Sequence, residues 1–306
     1  MRHLTSLFDL TSEEVREVLD LARTLKSEMK SGKRQPVCAG AVLTQVFEKP
    51  SLRTRVSFEA AISQLGGSGI FLTGKEAGLE GREPLEDVAR VIGGYSDFVV
   101  LRTFSQKLIE QFAERAGCSV INGLSDDYHP CQALTDILTM EEAFGSSEGK
   151  RIAYVGDGNN VAKSLAIACG HVGASIVVAA PDGYWLDPEF VTLVQEKFPK
   201  LTLDQTKDPV SAVADADIIY TDVWASMGQE SEKEKRAKDF DGFQVTPQLL
   251  DAAGTNVKLM HCLPARRGLE VNEDAMRDGR SIIFEQAENR MHLAKGLFAW
   301  LASAER

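Results

Sequence analysis

The sequence predicts an α/β protein with two doubly wound parallel-sheet domains joined by two interdomain helices. Short apolar runs alternate with amphipathic runs, and this alternation is typical of a parallel sheet covered by helices on both faces. A chain of 306 residues is long enough for two domains with separate cores. A polar segment rich in glycine and serine, residues 145–149, lies between two such alternating regions and marks the boundary.

The first predicted domain spans residues 1–143. Its first helix is predicted over residues 5–31, with a capping pattern at Thr11–Glu14. The strands that follow are predicted at 41–47, 68–72, 96–101 and 118–121, and the helices at 53–65, 85–93, 105–117 and 131–143. The connection 73–84 is polar, rich in glycine and too long for a plain connector, so we expect a mobile substrate loop there.

The second predicted domain spans residues 150–285 and repeats the alternation. Its strands are predicted near 151–155, 174–180, 217–220, 257–261 and 281–284. A long amphipathic helix at about 286–303 follows. We expect the C-terminal segment 286–306 to complete the first domain.

The composition excludes several functional classes. The 34 basic and 45 acidic residues leave a net charge of −11, which argues against nucleic acid or an anionic membrane as partner. An apolar run of about 18 residues and an apolar leader are both missing, so we expect a cytoplasmic protein. The five cysteines are scattered and form no Cys-x-x-Cys pair, so neither a disulfide framework nor a metal site is expected.

The turn after the first strand combines hydroxyl and guanidinium groups at the start of a helix. Ser51, Arg53 and Thr54 stand where unpaired N–H groups and the helix dipole favour an anion. Two hydroxyls and a planar guanidinium can surround a phosphate. An ordinary helix cap beside solvated arginines explains the same residues, and their spacing does not decide between the two interpretations.

Other polar residues also follow predicted strands, at the edge of a parallel sheet where ligands bind. Their simpler interpretations are a capping arginine, a structural histidine at a loop end, a surface turn and a buried thiol. The residues are Arg102, His129, Gln132, Asp222 and Cys262.

The segment Gly156–Val161 suggests a second function. Two glycines between a strand and a helix favour a dinucleotide site, as in an NAD-dependent dehydrogenase. Val161, however, stands where Gly-x-Gly-x-x-Gly requires its third glycine, so the match is incomplete. A dehydrogenase therefore remains a remote alternative.

Taken together, these motifs resemble those of the aspartate/ornithine carbamoyltransferase family. The matching stretches are Ser-Leu-Arg-Thr-Arg at Ser51, His-Pro-Cys-Gln at His129, Asp-x-x-x-Ser-Met-Gly at Asp222, His-Cys-Leu-Pro at His261 and the final Arg290. They occur in family order and cover most of the chain. The resemblance implies transfer of the carbamoyl group from carbamoyl phosphate to the δ-amine of L-ornithine, giving L-citrulline and phosphate without a cofactor.

The resemblance also implies a role for each matching residue. Carbamoyl phosphate would be bound by Ser51, Leu52, Arg53, Thr54, Arg102, His129, Gln132, Cys262, Leu263 and Arg290. Ornithine would be bound by Asn160, Asp222, Ser226 and Met227. The catalytic candidates are Arg102, His129, Asp222 and Cys262. Family members are typically homotrimers, so a homotrimer is expected here.

Two positions depart from the usual family pattern. Leu52 replaces a commoner threonine, and Gly78 stands where many members have a glutamine. Ser-Leu-Arg-Thr-Arg also resembles transferases that act on N-acetyl- or N-succinylornithine, but these lack the Asp-x-x-x-Ser-Met-Gly loop and rank second. A non-catalytic relative is a third possibility, and the intact site residues argue against it.

Overall fold

The computed structural model describes residues 1–79, 81–225, 228 and 230–303. The chain divides into two compact units, of which unit 1 is Met1–Leu138 with Glu288–Arg306 and unit 2 is Thr139–Ala287. Each unit contains a parallel sheet flanked by helices, as predicted. Among the described residues, no helix has both the length and the apolar character needed to cross a membrane.

Unit 1 contains a sheet of four parallel strands in the order β2-β1-β3-β4. Its elements in chain order are α1 (Ser12–Lys30), β1 (Val42–Phe47), α2 (Leu52–Gln64), β2 (Ser68–Thr73), α3 (Leu85–Tyr95), β3 (Phe98–Arg102), α4 (Gln106–Arg115), β4 (Ser119–Leu124) and α5 (Pro130–Phe144). The chain enters unit 2 within α5.

The first helix is shorter than the sequence predicts. Thr11 and Glu14 form a capping box, in which each side chain accepts the other residue's backbone N–H, and α1 therefore begins at Ser12. Upstream, Leu4 forms a parallel bridge to Ile121 on β4, and only Leu7–Asp9 turns as a 3₁₀ helix. The predicted start at residue 5 is wrong because the capping signal lies at Thr11.

Unit 2 contains five parallel strands in the order β7-β6-β5-β8-β9. Its elements are β5 (Arg151–Val155), α6 (Asn160–Val172), β6 (Ser175–Ala179), α7 (Pro188–Lys197), β7 (Leu203–Thr206), α8 (Pro209–Val213), β8 (Ile218–Thr221), α9 (Lys233–Asp239), α10 (Pro247–Ala253), β9 (Lys258–His261), α11 (Glu273–Arg277) and α12 (Ile283–Ser303). The chain returns to unit 1 within α12.

One predicted strand of unit 2 is wrong and one observed strand was missed. Residues 281–284 form only a single bridge, from Ser281 to Leu259, before α12 begins at Ile283. The fifth strand is instead β7, whose sequence Leu-Asp-Gln-Thr is too polar to predict a strand. As an edge strand, β7 tolerates this polarity because one side of it meets no neighbouring strand.

Alternation along β3 separates the two faces of the unit 1 sheet. Val99 and Leu101 pack with apolar side chains of α3 and α4. Phe98 points to the other face, where its ring centroid lies 4.9 Å from that of Phe298 on α12. Phe58 on α2 also contacts Phe298, at 5.7 Å between centroids. The sheet is therefore covered on both faces, and its ligand-binding edge lies at the carboxyl ends of the strands.

Candidate functional site

The unit 1 sheet brings three predicted segments to one edge. The turn at Ser51 follows β1, Arg102 is the last residue of β3, and His129 follows β4. Because these strands are parallel neighbours, their carboxyl ends lie side by side.

Ser51 is the N-cap of α2. Its Oγ accepts from the Thr54 backbone N–H at 3.2 Å and donates to Thr54 Oγ1 at 3.1 Å. The capping interpretation is therefore correct for this serine, and the contact also orients the Thr54 hydroxyl. Leu52 is 74% exposed, and Arg55 pairs with Glu59 at 3.0 Å. Neither of these side chains joins the buried cluster described next.

The Thr54 hydroxyl receives two buried guanidinium groups. Arg102 Nη1 lies 3.5 Å and Arg290 Nη2 lies 3.4 Å from Thr54 Oγ1. The three side chains are at most 7% exposed. Two like charges beside one hydroxyl create a strongly positive field, which favours a bound oxyanion.

Arg290 also joins the cluster to α5. Its Nη1 donates to Gln132 Oε1 and approaches His129 Nε2 at 3.5 Å. Since a guanidinium has no acceptor atom, Nε2 is the accepting nitrogen and a neutral His129 carries its proton on Nδ1. Burial lowers the pKa of His129 well below its ordinary value, and the charges of Arg290 and Arg102 lower it further. His129 is therefore neutral near pH 7.

Gln132 is held by a partner that the sequence analysis missed. Its Nε2 donates to Asp136 Oδ1 at 2.7 Å, which fixes the amide so that Oε1 faces Arg290. Asp136 is 1% exposed and lies four residues further along α5. That helical spacing is a signal that could have identified it.

In unit 2, the side chains of Asp222 and Cys262 are in contact. Asp222 follows β8 and is 6% exposed, and its Oδ1 accepts from Cys262 Sγ at 3.0 Å. Its Oδ2 accepts from Asn159 Nδ2 at 3.0 Å. A carboxylate in such a contact can hold a cationic amine and accept its proton.

Asn159 is a structural residue, which leaves Asn160 as the binding candidate. Asn159 Oδ1 caps α6 by accepting from the backbone N–H groups of Val161 and Ala162. A Cβ atom on Gly158 would lie 2.5 Å from Leu186 N, so close packing explains this glycine without a nucleotide. Asn160 is half-buried at the first position of α6.

A buried histidine and glutamate hold the segment after β9. His261 Nδ1 accepts from Leu263 N at 2.8 Å, and His261 Nε2 lies 3.1 Å from Glu270 Oε1. Leu263 has a φ of 58°, an uncommon value for a residue with a side chain. The sequence analysis gave Glu270 no role, and no motif in the sequence points to it.

Asp222, His261 and Cys262 also form a group that could hold a metal ion. One potential ligand atom from each lies within 4.8 Å of the others. Both ring nitrogens of His261 already take part in the contacts above, so coordination through His261 would break one of them. The expectation that the protein needs no metal stays a prediction.

Arg236, which the sequence analysis missed, anchors the segment that follows Asp222. It donates to Asp157 Oδ2 at 2.7 Å and to the Trp224 carbonyl at 2.9 Å. The predicted ornithine ligands Ser226 and Met227 lie outside the described residues.

The departure at Gly78 has a backbone reason. Gly78 has a φ of 81°, in the left-handed region that favours glycine, so a glutamine there would be strained. The mobility predicted for 73–84 stays a prediction.

Fold and residues together define a two-domain α/β protein with a buried cationic cluster suited to a small oxyanion. A sequence model described as "Aspartate/ornithine carbamoyltransferase, carbamoyl-P binding domain" matches residues 2–142, and the corresponding "Asp/Orn binding domain" matches residues 148–301. This chain belongs to the aspartate/ornithine carbamoyltransferase family.

Similar proteins match over nearly their whole length. An ornithine carbamoyltransferase of Wolinella succinogenes is 45% identical over 98% of both chains. The solved structure of the Pyrococcus furiosus ornithine carbamoyltransferase has a TM-score of 0.95 and 44% identity, covering 99% of this chain and 97% of that one. The anabolic enzyme of Campylobacter jejuni has a TM-score of 0.91 and 36% identity over 100% of both.

Proposed function

We propose that this protein is an ornithine carbamoyltransferase, which converts carbamoyl phosphate and L-ornithine to L-citrulline and phosphate. The observation that carries the proposal is the pair of buried guanidinium groups, Arg102 and Arg290, on the Thr54 hydroxyl. The names of the similar proteins support the same activity. The anabolic enzymes among them support a place in arginine biosynthesis.

Carbamoyl phosphate is assigned mainly to residues 1–143 with 286–306. Its phosphate would be bound at the start of α2, and its carbonyl oxygen by Arg102. A neutral His129 and the oriented amide of Gln132 can both donate to and accept from a planar carbamoyl group. The proposed ligands are Ser51, Leu52 through its backbone, Arg53, Thr54, Arg102, His129, Gln132, Cys262, Leu263 and Arg290.

Ornithine is assigned to residues 150–285. The proposed ligands are Asn160, Asp222, Ser226 and Met227. An alkylamine is protonated at pH 7 and must lose its proton before it can attack a carbonyl carbon. Asp222 is the proposed acceptor of that proton, assisted by Cys262, whose thiol already contacts its carboxylate.

The reaction needs positioning and charge stabilisation. The neutral δ-amine attacks the carbonyl carbon and forms a tetrahedral intermediate, whose oxyanion is stabilised by Arg102. Collapse of the intermediate breaks the bond to the phosphate oxygen, the attacking nitrogen gives its extra proton to the departing phosphate, and phosphate and citrulline are released. No step calls for a metal or an organic cofactor, and the expected cytoplasmic location stays a prediction.

A substrate comparison tests the proposal. The purified protein should form citrulline from carbamoyl phosphate and L-ornithine, with little turnover of N-acetyl- or N-succinylornithine. Preference for an acylated ornithine would replace the assigned substrate, and inactivity with all three would indicate a non-catalytic relative. Titration of NADH with the protein should leave the nicotinamide fluorescence unchanged, whereas a dehydrogenase would alter it.

A homotrimer is proposed for the assembly. Unit 1 exposes apolar side chains on α2 and on the edge strand β2, where Val56 is 52% and Ile70 46% exposed. Such surfaces on an edge strand favour contact with another chain. Light scattering on the purified protein in solution should give a mass three times the chain mass of 33.4 kDa. A monomeric mass would contradict this proposal.

A further inference from the structure

Lys49 is a buried lysine in the turn between β1 and α2. It is only 4% exposed, although lysine is among the residues least often buried. Its ammonium group pairs with the Asp126 carboxylate and lies 4.0 Å from the centroid of the Phe104 ring. An ion pair and a cation–π contact therefore hold this side chain in one place.

The neighbouring backbone reinforces these contacts. Glu48 N donates to the Arg102 carbonyl at 2.8 Å, and Glu48 Oε2 accepts from Phe104 N at 3.0 Å. Asp126 N donates to the Phe104 carbonyl at 2.9 Å. Glu48, Lys49, Phe104 and Asp126 thus join three segments, which follow β1, β3 and β4. We call these four residues the loop clamp.

Each of the three segments that the loop clamp joins also adjoins a residue of the buried site around Thr54. The first leads to Thr54, the second begins directly after Arg102, and the third leads to His129. Loops are the most mobile parts of a fold, yet these side chains must stay within hydrogen-bond distance of each other. A misplacement of about 1 Å can reduce a reaction rate about 10²-fold.

We propose that Lys49 is a positioning residue that holds the three loops of the carbamoyl-phosphate site in register through Asp126 and Phe104. The proposal rests on the proposed function. It differs from a purely stabilising role, in which loss of the ion pair would lower the melting temperature and leave substrate affinity unchanged.

The test compares Lys49→Gln, Asp126→Asn and the double variant. Each single change should raise the KM for carbamoyl phosphate by about 10-fold or more, since binding needs all three loops in place. The carbamoyl-phosphate KM of the double variant should exceed that of either single variant by no more than about twofold, because both changes remove the same contact. The KM for ornithine at saturating carbamoyl phosphate should stay within about twofold. Lys49→Arg, which keeps the charge and can stack on Phe104, should recover part of the affinity.

The chain provides a matched control. Lys207 pairs with Asp182 at 2.6 Å and lies 6.0 Å from the Trp185 ring centroid, but both charged side chains are exposed. Lys207→Gln should leave every kinetic parameter unchanged. An unchanged carbamoyl-phosphate KM in Lys49→Gln, with or without a lower melting temperature, would overturn the proposal.

A separate measurement distinguishes failure of this proposal from failure of the proposed function. If the unaltered chain forms no citrulline, the activity assignment fails. Calorimetric titration with inorganic phosphate then still compares the unaltered chain with Lys49→Gln. Weaker phosphate binding in the variant supports the positioning role, and equal binding refutes it.

Discussion

The two units collect opposite charges at the carboxyl ends of their strands. In unit 1, Arg102 and Arg290 converge on one hydroxyl. In unit 2, the Asp222 carboxylate accepts from an amide and a thiol. The same fold class thus carries a cationic cluster in unit 1 and an anionic cluster in unit 2.

Two buried side chains report these opposite fields. In unit 1, burial and the two arginines hold the pKa of His129 well below its ordinary value. In unit 2, burial raises the pKa of Tyr154, and neighbouring acidic side chains, chiefly Asp222, raise it further. The comparison teaches that the charges at the two sites have opposite signs, which favours an oxyanion in unit 1 and an ammonium group in unit 2.

Removal of Arg102 should have the largest effect. Arg102→Ala is expected to lower kcat by about 10²–10³-fold, because one donor to the developing oxyanion is lost. The fold should persist, since the change also removes a like charge from beside Arg290. Citrulline formation and circular dichroism measure the two quantities. Arg115→Ala, at the exposed end of α4, is the control. Normal turnover in Arg102→Ala would disprove the oxyanion assignment.

Neutralising Asp222 should weaken the binding of ornithine and leave the binding of carbamoyl phosphate nearly unchanged. Asp222→Asn keeps the shape but removes the charge, so kcat/KM for ornithine should fall by about 10–100-fold, the range expected for a hydrogen bond to a charged group. The KM for carbamoyl phosphate should change by less than about twofold. Steady-state kinetics with each substrate varied in turn test this. An equal rise in KM for both substrates would contradict the division of charge between the units.

The neutrality of His129 predicts a pH dependence. The unfolded chain takes up a proton near the ordinary pKa of 6.5, whereas the folded chain does so only at lower pH. Stability should therefore fall as the pH drops below 6.5, and His129→Asn should make this decline shallower. Urea unfolding between pH 7 and 5 measures it. His292, whose pKa is lowered to about 4 mainly by burial, is the control. His292→Gln should also flatten the curve but should keep full activity, unlike His129→Asn.

The smallest effect is expected at Leu52. Its side chain is 74% exposed, so Leu52→Thr should change kcat/KM for carbamoyl phosphate by less than about threefold. A larger gain would mean that the missing hydroxyl limits phosphate binding. The side chain at position 52 would then belong to the phosphate site.

Local signals in the sequence predicted most of the fold. Strand–helix alternation and the capping pattern at Thr11 are local, and so is the polar turn at Ser51. The strand β7 was missed because an edge position tolerates polar residues that hide its periodicity. The false strand at 281–284 is apolar in part, but its last two residues begin α12.

The candidate site was predictable only in part for a different reason. Arg102, His129, Asp222 and Cys262 lie in recognisable motifs, and the structure brings Arg102 close to Thr54 and Asp222 close to Cys262. Asp136, Glu270 and Arg236 act through contacts with those motifs. Glu270 contacts a residue nine positions away across an irregular segment, and Arg236 depends on packing between distant segments. Asn159 and Asn160 are adjacent and alike in sequence, and only the structure shows that Asn159 is the cap of α6.

The Thr54 hydroxyl with its two arginines has a practical consequence for anyone handling this protein. Any small oxyanion that binds there reduces the repulsion between the two guanidinium groups. A ligand that binds only the native state stabilises that state by mass action. Melting temperatures recorded in phosphate or sulfate buffers will therefore exceed those recorded in chloride. The choice of buffer salt will shift every stability comparison between variants of Arg102 or Arg290, since these variants differ in their response to the salt itself.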